Sequence, residues 1–172
     1  MLVNGCSHDE EQIVTQATIP QGYTTVTPWI IGKDTAGLMD FLTRAFGAQD
    51  LGRMEVAGRV GHAEMRIGSG VVMMFDAPDE WPPTPAFIRL YLEDAQSAFD
   101  TAVREGAEPV TRPTHLAFGD KVGRVRDPFG NLWWLQERVE EVSDEEATRR
   151  WNEPRWAEAM DYVQSSIVQL DK

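Results

Sequence analysis

The stretch VGHAEMRIG, residues 60–68, carries an ionisable side chain at every second position: His62, Glu64 and Arg66. Neighbouring residues of an extended strand leave on opposite faces, so this trio shares one face while Ala63, Met65 and Ile67 share the other. The apolar set needs a core, and the polar trio then faces whatever the sheet encloses. A histidine two residues from a glutamate can act as a general base with its partner or contribute to a metal site. It can also close an ion-pair ladder with Arg66 or Arg89, or line a polar rim. A second concentration of chemistry lies in DPFGNLWWLQERV (127–139), where a turn signal precedes two adjacent tryptophans. Alternation sends one indole into a core and leaves the other free to face something else.

Other chemistries find little support. Cys6 is the only cysteine, which excludes an intrachain disulfide and gives no sign of an oxidising compartment. Nothing around it suggests an activated thiol, and no serine sits on a nucleophile elbow. The GSG at 68–70 joins two strand-like runs rather than a strand and a helix, so it is no phosphate cradle. His115, in RPTHLAFGD, reads as a solvated loop residue. The net charge of −12 is drawn largely from the two ends of the chain. A nucleic-acid partner would need a basic face that this composition does not supply, whereas a cationic ligand is permitted. No apolar run approaches the roughly 20 residues of a membrane helix, and LVNGC at 2–6 lacks the basic and apolar regions of a lipoprotein signal. The expected location is cytoplasmic.

The elements that must position these residues repeat along the chain. Residues 1–21 are polar and aperiodic and read as a flexible arm. TTVTPWIIG (24–32) is β-branched and aromatic, a strand signature. DTAGLMDFLTRAFGA (34–48) spaces Leu38, Phe41, Leu42, Ala45 and Phe46 as a helix and closes on Gly47. Three strand-like runs follow, separated by turns at Gly58 and at 68–70. After the proline-rich bridge APDEWPPTP (77–85) the order restarts with AFIRLYLED, the helix AQSAFDTAVREGA and three more strands. The two helical segments, each beginning at an acidic residue and ending in Gly-Ala, mark two tandem βαβββ units, 22–78 and 85–140. Each is too small to bury its own sheet. The extension, 143–172, opens on a capping box of Ser143 and Glu146. It then continues as a helix over 154–170 with Trp156, Met160, Val163, Ile167 and Leu170 on one face, which should pack on its own domain or on a sister subunit.

GYTTVTPW (22–29), FGA (46–48), HAEMRIG (62–68), DPFG (127–130) and VEEVSDEEATRR (139–150) together resemble the vicinal oxygen chelate superfamily, and within it the PhnB-like glyoxalase/bleomycin-resistance proteins. The resemblance implies an α+β fold in which tandem βαβββ modules form a curved, cup-shaped mixed sheet, often completed across a homodimer, here with a C-terminal helical extension. In the metal enzymes of the superfamily four strand positions hold His or Gln, Glu, His and Glu. Those positions fall near Thr27, Met73, Phe87 and Trp134, which are poor or useless ligands for a hard cation. Neither a metal nor another cofactor is therefore expected, and no catalytic residue is assigned. With Trp134 pointing into the cup, Trp133 should pack toward the helices. The cup would be lined by Trp29, Phe87, Tyr91 and Trp134 for stacking and by His62, Glu64, Arg66, Arg89 and Gln136 for orienting a small aromatic molecule. The implied function is metal-independent binding of an antibiotic or aromatic metabolite. A metal-dependent enzyme using atypical ligands near His62 and Glu64 stays open, as does a scaffold whose cup is plugged by Trp134 and Phe87.

Overall fold

The computed structural model describes residues 18–20, 22–82 and 84–167. Its first module runs β1 (Trp29–Gly32), α1 (Thr35–Phe46), β2 (Gln49–Val56), β3 (Arg59–Ile67) and β4 (Gly70–Asp76). The second repeats the order as β5 (Phe87–Tyr91), α2 (Ala95–Arg104), β6 (Glu108–His115), β7 (Asp120–Arg126) and β8 (Leu132–Arg138). Helices α3 (Asp144–Trp151) and α4 (Pro154–Ser165) follow. Each module forms a four-stranded mixed sheet, in the orders β1-β4-β3-β2 and β5-β8-β7-β6. The β1–β4 and β5–β8 pairs are parallel and the rest antiparallel. This is the tandem βαβββ architecture.

Local chemistry fixes the helices in matching ways. Asp34 caps α1 by accepting from the Gly37 N–H at 2.8 Å, and Asp94 caps α2 by accepting from Ser97 at 2.9 Å. The last strand of each module supplies a second acceptor: Asp76 takes the Thr35 N–H at 2.7 Å and Glu137 takes that of Ala95 at 3.0 Å. Helix α1 ends at Gly47, whose φ of +64° satisfies the last carbonyls as a left-handed cap. The two helices bury their apolar faces in one continuous core that joins Leu38, Phe41 and Leu42 to Phe99, Ala102, Trp133 and Leu135. Neither module keeps a core to itself.

Three sequence expectations are corrected here. The first strand begins at Trp29 rather than at 24. Pro28 has no N–H for a ladder, and the Thr27 hydroxyl donates to the Thr24 carbonyl at 3.0 Å, a local bond that competes with pairing. His115 ends β6 rather than lying in a loop. The terminal helix stops at Ser165 instead of running to 170; Leu170, like Cys6 and most of the N-terminal arm, lies outside the described residues. Strand β2 is an edge, exposed along its whole length, with register shifts between Asp50 and Gly52 and between Met54 and Glu55. Among the described residues no helix is long and apolar enough to cross a membrane.

Candidate functional site

On the first module the face away from α1 carries a graded surface. Pairing sets Trp29 beside Met73 and Met73 beside Glu64, with Glu64 beside Gly52; Ile31 lies beside Phe75, and His62 beside Met54. Trp29 and Glu64 are thus two strand spacings apart, about 10 Å between backbones. At the apolar side Trp29 meets Phe75 edge-on, centroids 5.4 Å apart, and Phe75 meets Trp81 at 6.0 Å. Trp29 and Trp81 remain 55% and 47% exposed, so each offers a ring surface to solvent.

At the polar side His62 Nε2 lies 2.9 Å from Glu64 Oε1, and the Tyr23 hydroxyl donates to the same carboxylate. The Tyr23 hydrogen bond, then that of His62, hold Glu64 below the usual carboxylate range against the opposing effect of burial. Reciprocally, the Glu64 hydrogen bond raises the Tyr23 phenol. Glu64 is therefore an anion at neutral pH, on the same face as exposed aromatic rings. The segment carrying Tyr23 crosses close to Arg66: a Cβ at Gly22, where φ is +87°, would stand 3.0 Å from the guanidinium. A side chain there would push the segment away.

Arg89 and Tyr91 meet this region at a seam. With Thr24, Val26, Pro28 and the β3–β4 turn they line a cleft of about 360 Å³. The remaining residues anticipated for the site lie on the second module. Trp134 faces away from the core, in tilted contact with Phe87 at 5.9 Å. Trp133 lies fully buried on the other side of the strand, against Phe46 at 5.3 Å. Its indole N–H donates to Asp127 at 2.8 Å, the carboxylate that also organises the turn before β8.

The second face is not an open cup. Trp134 packs against a buried cluster of Leu116, Val122 and Val163, which Ala159 and Met160 also cover, so α4 lies over this face. Phe87 and Tyr91 stay exposed, and the covering is supplied by the extension rather than by Trp134 and Phe87. Gln136 is 5% exposed and donates to Asp120, which also accepts from Arg138. It is engaged within the sheet and does not line an accessible surface.

The four positions at which the resemblance would place metal ligands do not suit a metal here. Register makes Trp29 the β1 neighbour of Met73, and Arg89 the β5 neighbour of Trp134. Thr27 is off the strand, and no choice among Thr27, Trp29, Met73, Phe87, Arg89 and Trp134 assembles imidazole and carboxylate donors. Among the described residues no group of three His, Cys, Asp or Glu side chains is placed to share a metal ion. Sequence reasoning passed over Tyr23, Phe75, Trp81 and Arg124. Alternation from Met73 would have identified Phe75, and the register of VGRVRD would have identified Arg124. Trp81 sits in a proline-rich bridge with no period to orient it.

The fold defines a class of protein, and the sequence comparisons agree. The family model for the Glyoxalase/Bleomycin resistance protein/Dioxygenase superfamily matches residues 22–135, and the chain belongs to that superfamily. It is 34% identical over 133 residues to the uncharacterized protein Mb0911c of Mycobacterium bovis, covering 70% of this chain and 88% of that one. Among solved structures, TioX from Micromonospora sp. ML1 aligns with a TM-score of 0.58 at 24% identity, over 67% of this chain and 99% of TioX. The PhnB protein from Bacillus cereus aligns with a TM-score of 0.50 at 17% identity, over 66% of this chain and 99% of that one. At these identities the two structures speak to the fold.

Proposed function

We propose that this chain is a small-molecule binding protein that sequesters an aromatic metabolite or antibiotic, without a metal, on the helix-free face of its first module. The observation that carries the reading is the Trp29–Phe75–Trp81 cluster, exposed on the same face as the ionised Glu64. Exposed indoles stack on flat ligands or take cations over their faces. A carboxylate held ionised by Tyr23 and His62 selects a ligand with a positive or hydrogen-bond-donating group. The superfamily's inclusion of bleomycin resistance proteins supports the binding role.

The test is quenching of tryptophan fluorescence by a panel of glycopeptide, polyketide and other aromatic antibiotics, each cationic member matched with a neutral analogue. Saturable quenching by a cationic aromatic, weakened at least tenfold by Trp29→Ala and by Glu64→Gln but not by Trp134→Ala, is the expected result. Equal response of all three variants, or none from the parent protein, would refute it. The exposed Phe87 and Tyr91 of β5 also favour a homodimer, and a monomer by light scattering at micromolar concentration would count against that assembly.

A further inference from the structure

The face of the second module that α4 covers contains a buried cation with, among the described residues, no acid beside it. Arg124 is 3% exposed. Its Nη1 donates to Thr111 Oγ1 at 3.0 Å and to the Val163 carbonyl of α4 at 2.6 Å, while its Nε has no partner among the described residues. Register places Arg124 beside Trp134, and Trp134 beside Arg89. The row across three strands is therefore arginine, indole, arginine, with the guanidinium carbons 3.9 Å and 4.7 Å from the ring centroid. Neither arginine makes an ion pair among the described residues.

A guanidinium removed from water needs a compensating charge. Burial, and then the nearby charge of Arg89, both push the Arg124 pKa down. What the fold places there instead is the C-terminal end of α4, where exposed carbonyls amount to roughly half a negative charge. The Val163 carbonyl binds Arg124, and the Ser166 hydroxyl meets Thr111 at 2.7 Å. The helix end thus occupies the position of an anion. Next along the same face, Phe87, Leu132, Arg126 and Ile167 border a cavity of about 430 Å³, within the range that ligand sites occupy.

We propose that this face is a binding site for a flat aromatic carboxylate, and that the C-terminal end of α4 is its built-in competitor. The carboxylate replaces the Val163 carbonyl at Arg124 and also reaches Arg89, while the ring lies along Trp134 toward the cavity at Phe87. This site goes beyond the one on the first module: it uses different residues and selects the opposite charge.

The test titrates the full chain with 2-naphthoate and with neutral 2-naphthamide by calorimetry, and follows tryptic cleavage after Arg155 at saturation. The acid should bind at least tenfold more tightly than the amide. It should also speed cleavage after Arg155, because displacing the helix end frees the segment around Trp156. Val163→Ala, which weakens helix docking, should raise affinity for the acid about tenfold. Arg124→Met should abolish the preference for acid over amide. The proposal is overturned if the acid fails to bind the parent and Val163→Ala chains at millimolar concentration, if acid and amide bind equally, or if cleavage is unchanged at saturation. It is also overturned if a folded Arg124→Met chain keeps the preference. Should that variant not fold, the parent chain's acid–amide comparison and its cleavage rate decide the matter.

Discussion

Asp127 is the acceptor on which the final strand depends, and its replacement should be expensive for reasons that can be counted. It is 3% exposed. It accepts from the N–H groups of Phe129 at 2.9 Å and Asn131 at 2.8 Å, from Asn131 Nδ2 at 2.9 Å and from Trp133 Nε1 at 2.8 Å. Asp127→Ala leaves the Trp133 indole, 0% exposed, and the Asn131 amide, 4% exposed, as donors without an acceptor. At about 1–3 kcal/mol for each buried unsatisfied donor, the two together lose about 2–6 kcal/mol, a large part of the roughly 5–15 kcal/mol that holds a typical domain folded. Urea unfolding followed by circular dichroism measures the change. A double-mutant cycle with Trp133→Phe isolates the indole bond: Asp127→Ala should cost about 1–2 kcal/mol less once that donor is gone. A loss below about 1 kcal/mol for Asp127→Ala, or strict additivity in the cycle, would refute this account of the turn.

Further predictions follow from other parts of the molecule. Tyr23→Phe removes the largest influence holding Glu64 ionised, so its carboxyl pKa, read by NMR titration, should rise toward the ordinary value. Because the folded-state value is depressed, Glu64's contribution to stability is present above the ordinary carboxylate pKa and disappears as pH falls through the folded one; Glu64→Gln should flatten that acid limb. Glu146 is held at about 2 by Arg149 and then Arg150. By the same sign, its hold on the extension is complete above its usual value of 4.5 and is lost as pH falls toward 2, which hydrogen exchange in α3 should register. Gly119 has φ +91°, and a Cβ there would collide with the Glu140 carbonyl and crowd Val142. Gly119→Ala should destabilise by about 2–4 kcal/mol in thermal or urea unfolding.

The modules were legible in the sequence because their signals are local. Helical spacing from Leu38 to Ala45, the glycine after Phe46 and the Ala57-Gly58 and Gly68-Ser69 turns each specify their own element, and the repeat confirms the order. The site was less legible, since contacts between distant segments decide it. Trp156 and Val163 announce a helix face that must be covered, but not that it covers Trp134. Gln136 alternates toward the same face as Trp134, yet Asp120, sixteen residues earlier in the chain, withdraws it from use. Thr27 belongs to a run rich in strand formers, and Pro28 is what keeps it out of the ladder. Tyr23 reaches Glu64 only because the chain folds back across the face.

The uncovered edge of β2 has a consequence for solubility. An eight-residue outer strand presents unpaired backbone groups to any extended chain, the geometry from which fibres grow. Its two register breaks, the φ of +141° at Gly52 and the Arg53–Glu55 ion pair at 3.3 Å place kinks and charge where an added strand would have to lie flat. A sheet can then leave one face accessible to small molecules without offering its border as a template. Irregularity in β2 opposes the addition of another strand at this edge, and a variant that made the strand regular would trade that opposition for a smoother ladder.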